Sequence, residues 1–421
     1  MKCLQDREMD PQRSCEFGRS SPREEWSDNG FLGVQQVTSI DSPAKAASSV
    51  PWRLWCALLA VTSTMAGTHW DIAWHRSIGR DTFWTPAHMA IYFGALLAGG
   101  SCGYLILSTT WSRPASAARE GAVKIWGFRG PLGAFICAWG GFAMLTSAPF
   151  DDWWHNAYGL DVKVLSPPHV VLIIGIIAID LGALILIVGA MNRATGALRE
   201  RLNWMFLYIA AMVLVCLLIL VFEYNIRIYM HGGRFYRVIS MVVPIVLAGA
   251  SRASEKRWPA VTVMAFYSAF VLAMLWILPL APAETKLGPV YRRVTTLIPA
   301  EFPLLLIVPA LALDLLRPHT AHWNRWLQAL AGGVVFLAVF TAVQWPFADF
   351  LMSPAARNRF FGAIYFDYNL RPSSYYIRHL FLPTERSPGE FGMEMALAAA
   401  CAIVTTRIGL AWGDWMRRIR R

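Results

Sequence analysis

The chain has 421 residues, of which 56% are hydrophobic and only 15% are charged. Its apolar runs recur at lengths near the ~20 residues that cross a bilayer as a helix. Composition therefore predicts an all-α, polytopic transmembrane helix bundle. The formal net charge of +11 does not indicate nucleic-acid binding, because many of the basic residues lie in short loops between apolar runs and at the end of the chain.

The first 50 residues differ from everything after them. They are polar and mixed in charge, as in SSPREEWSDNG, and they lack the apolar core of a signal peptide. Such a composition cannot bury enough apolar surface to fold. We expect residues 1–50 to be a disordered cytoplasmic tail.

Ten apolar runs follow this tail, each bounded by polar, proline or glycine residues. The sixth and eighth are the shortest. Five cysteines fall inside these runs without CxxC spacing, so packing is expected of them and a thiolate site is not. The predicted spans are residues 52–70, 84–109, 131–149, 167–191, 203–222, 236–250, 258–280, 301–316, 324–350 and 393–415.

Basic residues give the expected orientation. They are concentrated in the loops after the second, fourth, sixth and eighth spans, and the chain ends in WMRRIRR. The positive-inside rule places these loops and both termini in the cytoplasm, although four arginines in the opposite loops depart from it. The expected location is a bacterial inner membrane, with a long outer loop at about 351–392.

Two predicted outer segments share one pattern. GTHWDIAWHRSIGRDTFWTPAHM, at 67–89, aligns with APFDDWWHNAYGLDVKVLSPPHVVL, at 148–172, after one inserted residue, and the two hold five of the nine histidines. This internal repeat marks residues 51–195 as a four-helix metal-binding module and residues 196–421 as further membrane helices. The matched pairs are Asp71 with Asp151, His75 with His155, Gly79 with Gly159, Asp81 with Asp161, Thr85 with Ser166, Pro86 with Pro167, and His88 with His169.

Each part of the repeat has a physical interpretation. An aspartate and a histidine four residues apart lie on one face of a helix and both reach one ion. The glycine then suits a helix end, and Ser/Thr-Pro suits the start of the next helix. His88 and His169 fall in the first turn of that helix. There the positive end of the helix dipole favours neutral imidazole, which is the form that binds metal.

The repeat therefore predicts two ligand sets, each with two histidines and one carboxylate. We call Asp71, His75 and His88 the first triple, and Asp151, His155 and His169 the second triple. The competing interpretation is an interfacial aromatic belt, which suits the tryptophans of these segments but explains neither the aspartates nor the shared spacing. The predicted supporting residues around the ligands are His69, Asp81, Asp152 and Asp161.

Asp180 lies about three helical turns beyond His169, near the middle of the fourth span. An ionisable group at that depth is a functional candidate, here as a proton relay. A carboxylate paired with a neighbouring helix is the alternative. Because Asp180 lies in the span that begins at His169, we predict the chemistry at the second triple and a structural or electron-relay role for the first.

At these residues the sequence resembles the C subunit of the copper membrane monooxygenases, the particulate methane and ammonia monooxygenases. That subunit carries neighbouring sites spaced Asp-x3-His-x12-His and Asn-x3-His-x13-His, and the two triples have these spacings in the same order. The resemblance covers about residues 50–195, and Asp151 stands where the family has asparagine. It implies copper at both triples and oxygen activation near the periplasmic face.

Three function classes follow. The first is a monooxygenase-like copper enzyme that oxidises a small lipid-soluble substrate. The second is a copper transport or assembly factor without catalysis. The third, a haem protein, is disfavoured because haem ligation does not use carboxylates. Without the resemblance, a ligand set of two histidines and one carboxylate suits iron or zinc as well as copper. Expected partners are the lipid bilayer and, by the resemblance, other membrane subunits or a periplasmic copper or electron donor.

Overall fold

The computed structural model describes residues 49–113, 121–159, 166–286, 294–366 and 385–419. Within these ranges the chain is helical apart from loops and one antiparallel hairpin, β1 (Val123–Ile125) with β2 (Phe128–Gly130). The all-α prediction is confirmed for these residues. The α-helices in chain order are α1 Trp52–Ser77, α2 Pro86–Thr110, α3 Leu132–Tyr158, α4 Pro167–Arg193, α5 Gly196–Leu220, α6 Phe222–Asn225, α7 Gly233–Ala253, α8 Pro259–Ile277, α9 Ile307–Thr320, α10 Arg325–Met352 and α11 Pro388–Met416.

Eight helices within the described residues are long and apolar enough to cross a membrane: α2 to α5, α7, α8, α10 and α11. The chain thus has the architecture of a multi-pass membrane protein. Each of the ten predicted spans coincides with a helix, but α1 carries more polar residues and α9 has only 14 residues. The count of ten spans and the cytoplasmic termini stay predictions.

The helices that carry the repeat run past their predicted ends. α1 continues to Ser77 where the sequence indicated 70, and α3 continues to Tyr158 where it indicated 149. Hydropathy falls at the aspartates and histidines, yet these residues remain helical. Each helix ends at its predicted glycine, with φ of +82° at Gly79 and +89° at Gly159, a backbone region that disfavours other residues.

Close packing of α3 between α2 and α4 depends on two adjacent glycines. A Cβ atom at Gly140 would lie 2.7 Å from the carbonyl oxygen of Gly175 in α4. At Gly141 it would lie 2.6 Å from the carbonyl oxygen of Ala95 in α2. Small residues at helix crossings allow this approach of backbones in membrane bundles. The two glycines therefore hold together the helices that carry both triples.

The described residues begin and end on the side of the bundle away from the triples. Asn192, in the last turn of α4, donates its side-chain amide to the carbonyl oxygens of Met416 at 2.8 Å and Ile419 at 2.7 Å. The triples lie at the opposite ends of α1 to α4, as the alternation of helices requires. Residues 47–421 form one compact unit, so the repeat module packs directly on the later helices.

Some predicted features lie outside the described residues. They are the tail up to residue 48, Asp161, and residues 367–384 of the long outer loop.

Candidate metal centre

The first triple is assembled by the end of α1, the turn of residues 78–85 and the start of α2. The Nε2 atom of His88 lies 3.1 Å from Oδ1 of Asp71. The Nε2 atom of His75 lies 3.7 Å from Oδ2 of the same aspartate, one helical turn away. Ligand atoms bound to one ion at about 2.1 Å are about 3.0–3.5 Å apart. The two distances from Asp71 to the histidines are therefore close to those within a metal-bound set.

Asp81 lies inside this cluster, although the sequence indicated a supporting role. Its Oδ2 atom is 3.4 Å from Nε2 of both His75 and His88. One ligand atom each from Asp71, Asp81 and His88 lie within 4.8 Å of one another. We therefore define the first cluster by four residues, namely Asp71, His75, Asp81 and His88.

The turn between α1 and α2 orients these ligands. Nδ1 of His88 lies 2.9 Å from the carbonyl oxygen of Thr82. A carbonyl only accepts, so Nδ1 donates, and Nε2 faces Asp71 and can bind a cation when the ring is neutral. Thr85 is at the predicted N-cap position, but its hydroxyl accepts from the backbone N–H of Thr82 at 2.8 Å instead of capping α2. It thus shapes the turn that holds His88.

The second triple is formed by the end of α3 and the start of α4. Oδ1 of Asp151 lies 3.5 Å from Nε2 of His155 and 3.5 Å from Nε2 of His169. The three ligand atoms lie within 4.8 Å of one another. The predicted capping bond is present here, since the backbone N–H of His169 donates to the hydroxyl of Ser166 at 3.4 Å. We call this set the second cluster.

The two clusters are electrostatic neighbours. Burial alone would raise the pKa of the Asp81 carboxyl, but a hydrogen bond from His75 and the nearby charges of His88 and His155 hold it at about 2. His155 belongs to the second cluster, so the two sets influence each other. A charge bound at one cluster would therefore act on the other.

Tyr92 was missed by the sequence reasoning. It lies one helical turn after His88, with 6.0 Å between the ring centroids. The charges of Asp151, Asp71 and Asp81 all act on its phenol, so Tyr92 is an electrostatic neighbour of both clusters. The only sequence signal was its spacing of four residues from a ligand in α2, which tyrosines share with many ordinary core positions.

The carboxylates give the clearest test of whether these residues suit a metal. Oδ1 of Asp71 and Oδ1 of Asp151 are buried and accept no hydrogen bond from the described residues. A buried carboxylate oxygen without a donor is unfavourable. A cation between each carboxylate and its histidines would compensate it. The residues present therefore fit a divalent or monovalent transition metal at each cluster.

The other predicted supporting residues lie away from the ligand atoms. His69 is buried on another face of α1, with Nδ1 3.1 Å from the carbonyl oxygen of Met65 and its ring against Phe270. Asp152 is exposed on α3, and its carboxylate accepts from the side chain of Asn156 at 3.4 Å. Neither hydrogen bond involves a ligand of its cluster.

Asp180 is buried within α4, with 2% of its surface exposed. Among the described residues, neither carboxylate oxygen has a hydrogen-bond partner by ordinary geometry. The weak thiol donor of Cys216, in α5, lies beside it. Cys216 belongs to a neighbouring helix, so both interpretations of Asp180, a proton relay and a carboxylate paired with a neighbouring helix, stay predictions.

Fold and site together define a multi-pass helical membrane protein with two adjacent aspartate–histidine clusters at one end of its bundle. Comparisons of the chain with protein-family models, with curated proteins and with solved structures gave no match.

Proposed function

We propose that this chain is an integral membrane metalloprotein that holds one transition-metal ion in each cluster, with copper as the resident metal. One observation carries the proposal. In both clusters a buried aspartate oxygen without a hydrogen-bond donor faces histidine nitrogens, at 3.1 Å for Asp71 and His88 and at 3.5 Å for Asp151 and His169. The resemblance to the copper membrane monooxygenases supports copper.

The activity we propose is oxidation of a small lipid-soluble substrate by oxygen, as the resemblance implies. Copper bound at the clusters would react with oxygen and transfer single electrons. The chain would supply the ligands, the neutral imidazoles set by helix starts, and a buried carboxyl, Asp180, that can hold a proton. We place the chemistry at the second cluster because α4 carries both His169 and Asp180.

The surroundings of the clusters suit such a substrate. Trp84 and Trp153 flank the two clusters and are 73% and 54% exposed. Exposed tryptophans are characteristic of the membrane–water interface. A substrate dissolved in the bilayer would thus reach the clusters from lipid, while water would reach them from the loop side.

Metal delivery without catalysis is the second candidate, and one observation favours it. The side chain of His75 is 42% exposed, so a partner protein can reach the first cluster directly. In this function the clusters would exchange copper with a donor or acceptor outside the membrane. The partner would be a periplasmic copper protein, and the two functions differ in whether oxygen is consumed.

Metal analysis tests whether each cluster holds a metal ion. Copper, iron and zinc are measured per chain in purified protein, for wild type, His88→Ala, His169→Ala and the control Asp152→Asn. We expect two ions per chain in wild type and control, and one in each histidine variant. Equal metal content in all four proteins would contradict the proposal.

Oxygen consumption then separates the two functions. Copper-loaded protein in lipid bilayers is supplied with a reductant and a small hydrocarbon or ammonia. Substrate-dependent oxygen uptake that is lost in His169→Ala supports catalysis of substrate oxidation. Absence of uptake, together with copper transfer to a soluble chelating protein, supports delivery.

A further inference from the structure

A cavity of about 90 Å³ lies beside α1, on a different face from the first cluster. It is a half-open cavity lined by α1, α5, α6, α8 and residues 300–304. Most of its wall is apolar. His69, Arg76 and Glu301 bring polar groups into it, and an apolar wall with a few convergent polar groups is the general composition of a ligand site.

Most N–H donors of Arg76 are not used by the described residues. Its one hydrogen bond among the described residues runs from Nη1 to the carbonyl oxygen of Pro299 and is long, at 3.4 Å. The guanidinium also lies over the ring of Phe222, 5.6 Å from its centroid. An arginine carries five N–H donors in a planar fork that matches carboxylate-type oxygens. Arg76 therefore presents an oxyanion site to the cavity.

Glu301 and His69 bring acceptors to the same cavity. Oε2 of Glu301 accepts from the backbone N–H of Arg227 at 2.8 Å. The carboxylate charge of Glu301 also acts on the guanidinium of Arg76. His69 is 7% exposed, and its Nδ1 lies 3.1 Å from the carbonyl oxygen of Met65. Nδ1 must be the donor in that bond, so Nε2 is an acceptor. A complementary ligand offers oxygens to Arg76 and one donor to His69 or Glu301.

The volume limits the ligand further. A cavity of about 150 Å³ holds benzene, which has six heavy atoms. By proportion, 90 Å³ suits about four heavy atoms. Bicarbonate has this size, a planar oxygen fork and one hydroxyl donor. Nitrate has the same size and shape but no donor, and formate is smaller and also lacks one.

We propose that this cavity is a binding site for a small planar oxyanion that carries a hydrogen-bond donor, of which bicarbonate is the simplest. Arg76 binds the oxygen fork, and Nε2 of His69 accepts from the hydroxyl. The cavity and the first cluster share the last turns of α1, because Ile72 and Arg76 line the cavity next to the ligands Asp71 and His75. This site does not require the proposed metal function.

The test is calorimetric titration of the full chain in lipid nanodiscs with bicarbonate, nitrate and formate at pH 8. The variants are Arg76→Gln, which removes the charge and the fork, and His69→Phe, which keeps a ring against Phe270 but removes the acceptor. Arg80→Gln is the control, because Arg80 is exposed on the neighbouring turn. Metal content is measured for every protein, so loss of metal and loss of anion binding are separable.

We expect wild type and Arg80→Gln to bind bicarbonate at least about tenfold more tightly than nitrate, since an unpaired buried acceptor penalises the analogue that lacks the donor. Arg76→Gln should lose binding of all three anions. His69→Phe should keep nitrate binding and lose the preference for bicarbonate. Absence of saturable binding in wild type, binding unchanged in Arg76→Gln, or equal affinity for nitrate and bicarbonate in wild type would each overturn the proposal.

Discussion

Asp71 and His88 face each other across the turn between α1 and α2, with 3.1 Å between Oδ1 and Nε2. Sixteen residues of chain lie between them, including a glycine that ends one helix and a proline that begins the next. The same construction recurs between Asp151 and His169. The shared geometry makes a duplicated ligand set a stronger interpretation than two chance ion pairs.

Asp81 should prove to be a ligand of the first cluster. We expect Asp81→Asn to weaken metal binding there by about 10–100-fold, the loss that is typical even of residues that support a ligand. Binding at the second cluster should change much less. Competition titration against a calibrated chelator measures both affinities. Unchanged metal affinities at both clusters would show that Asp81 is not a metal ligand.

Gly140 should be intolerant of a larger side chain. A Cβ atom there would lie 2.7 Å from the carbonyl oxygen of Gly175, so Gly140→Ala must push α3 away from α4. Overpacking of this kind costs about 1–3 kcal/mol. Thermal unfolding in detergent provides the measurement. Gly100→Ala is the control, because a Cβ atom at Gly100 meets nothing within 4 Å; equal effects of both changes would contradict the packing argument.

Asp180 should contribute to activity and little to stability. Its buried carboxyl lacks an ordinary hydrogen-bond partner among the described residues, so removing it relieves a desolvation penalty. We expect Asp180→Asn and Asp180→Leu to unfold at the wild-type temperature or above it, while oxygen-dependent oxidation falls. A large loss of stability in both variants, with activity per folded protein intact, would show a structural role.

The clusters should lie on the membrane side opposite the C-terminus. Single cysteines introduced as Arg80→Cys and Arg418→Cys, in a chain without its own cysteines, are labelled with an impermeant thiol reagent in intact cells and in lysed cells. We expect Arg80→Cys to react in intact cells and Arg418→Cys to react only after lysis. Labelling of both in intact cells would reject the predicted topology.

The sequence was sufficient for the helices because their signals are local. Within the described residues, hydropathy located the ten helices of 14 or more residues. The two glycines marked the ends of α1 and α3, and the Ser/Thr-Pro pairs marked the starts of α2 and α4. It failed at Ser77 and Tyr158, where helices continue through polar ligands, because hydropathy measures burial in lipid and not backbone hydrogen bonding. It also placed the start of α9 at 301, whereas residues 301–306 are irregular.

The sequence predicted those ligands whose positions follow from the regular spacing of a helix. Two residues four apart on a helix, and a histidine at a fixed position after a proline, are constrained by helix geometry alone. Asp81 is in a loop, and its reach into the first cluster depends on how that loop folds. Tyr92 depends on how α2 rotates against α3. Neither the folding of a loop nor the rotation of a helix follows from spacing, so both roles required the structure.

The central claim is that each cluster holds a metal ion, and anomalous X-ray scattering from crystals of the protein as purified tests it most directly. Data collected above and below the copper, iron and zinc edges identify the element and its position together. The account predicts two anomalous peaks, each about 2.0–2.2 Å from ligand atoms of one cluster, with the element at both being copper. Absence of a peak at both clusters in crystals of active protein, or peaks bound by other residues, would contradict it.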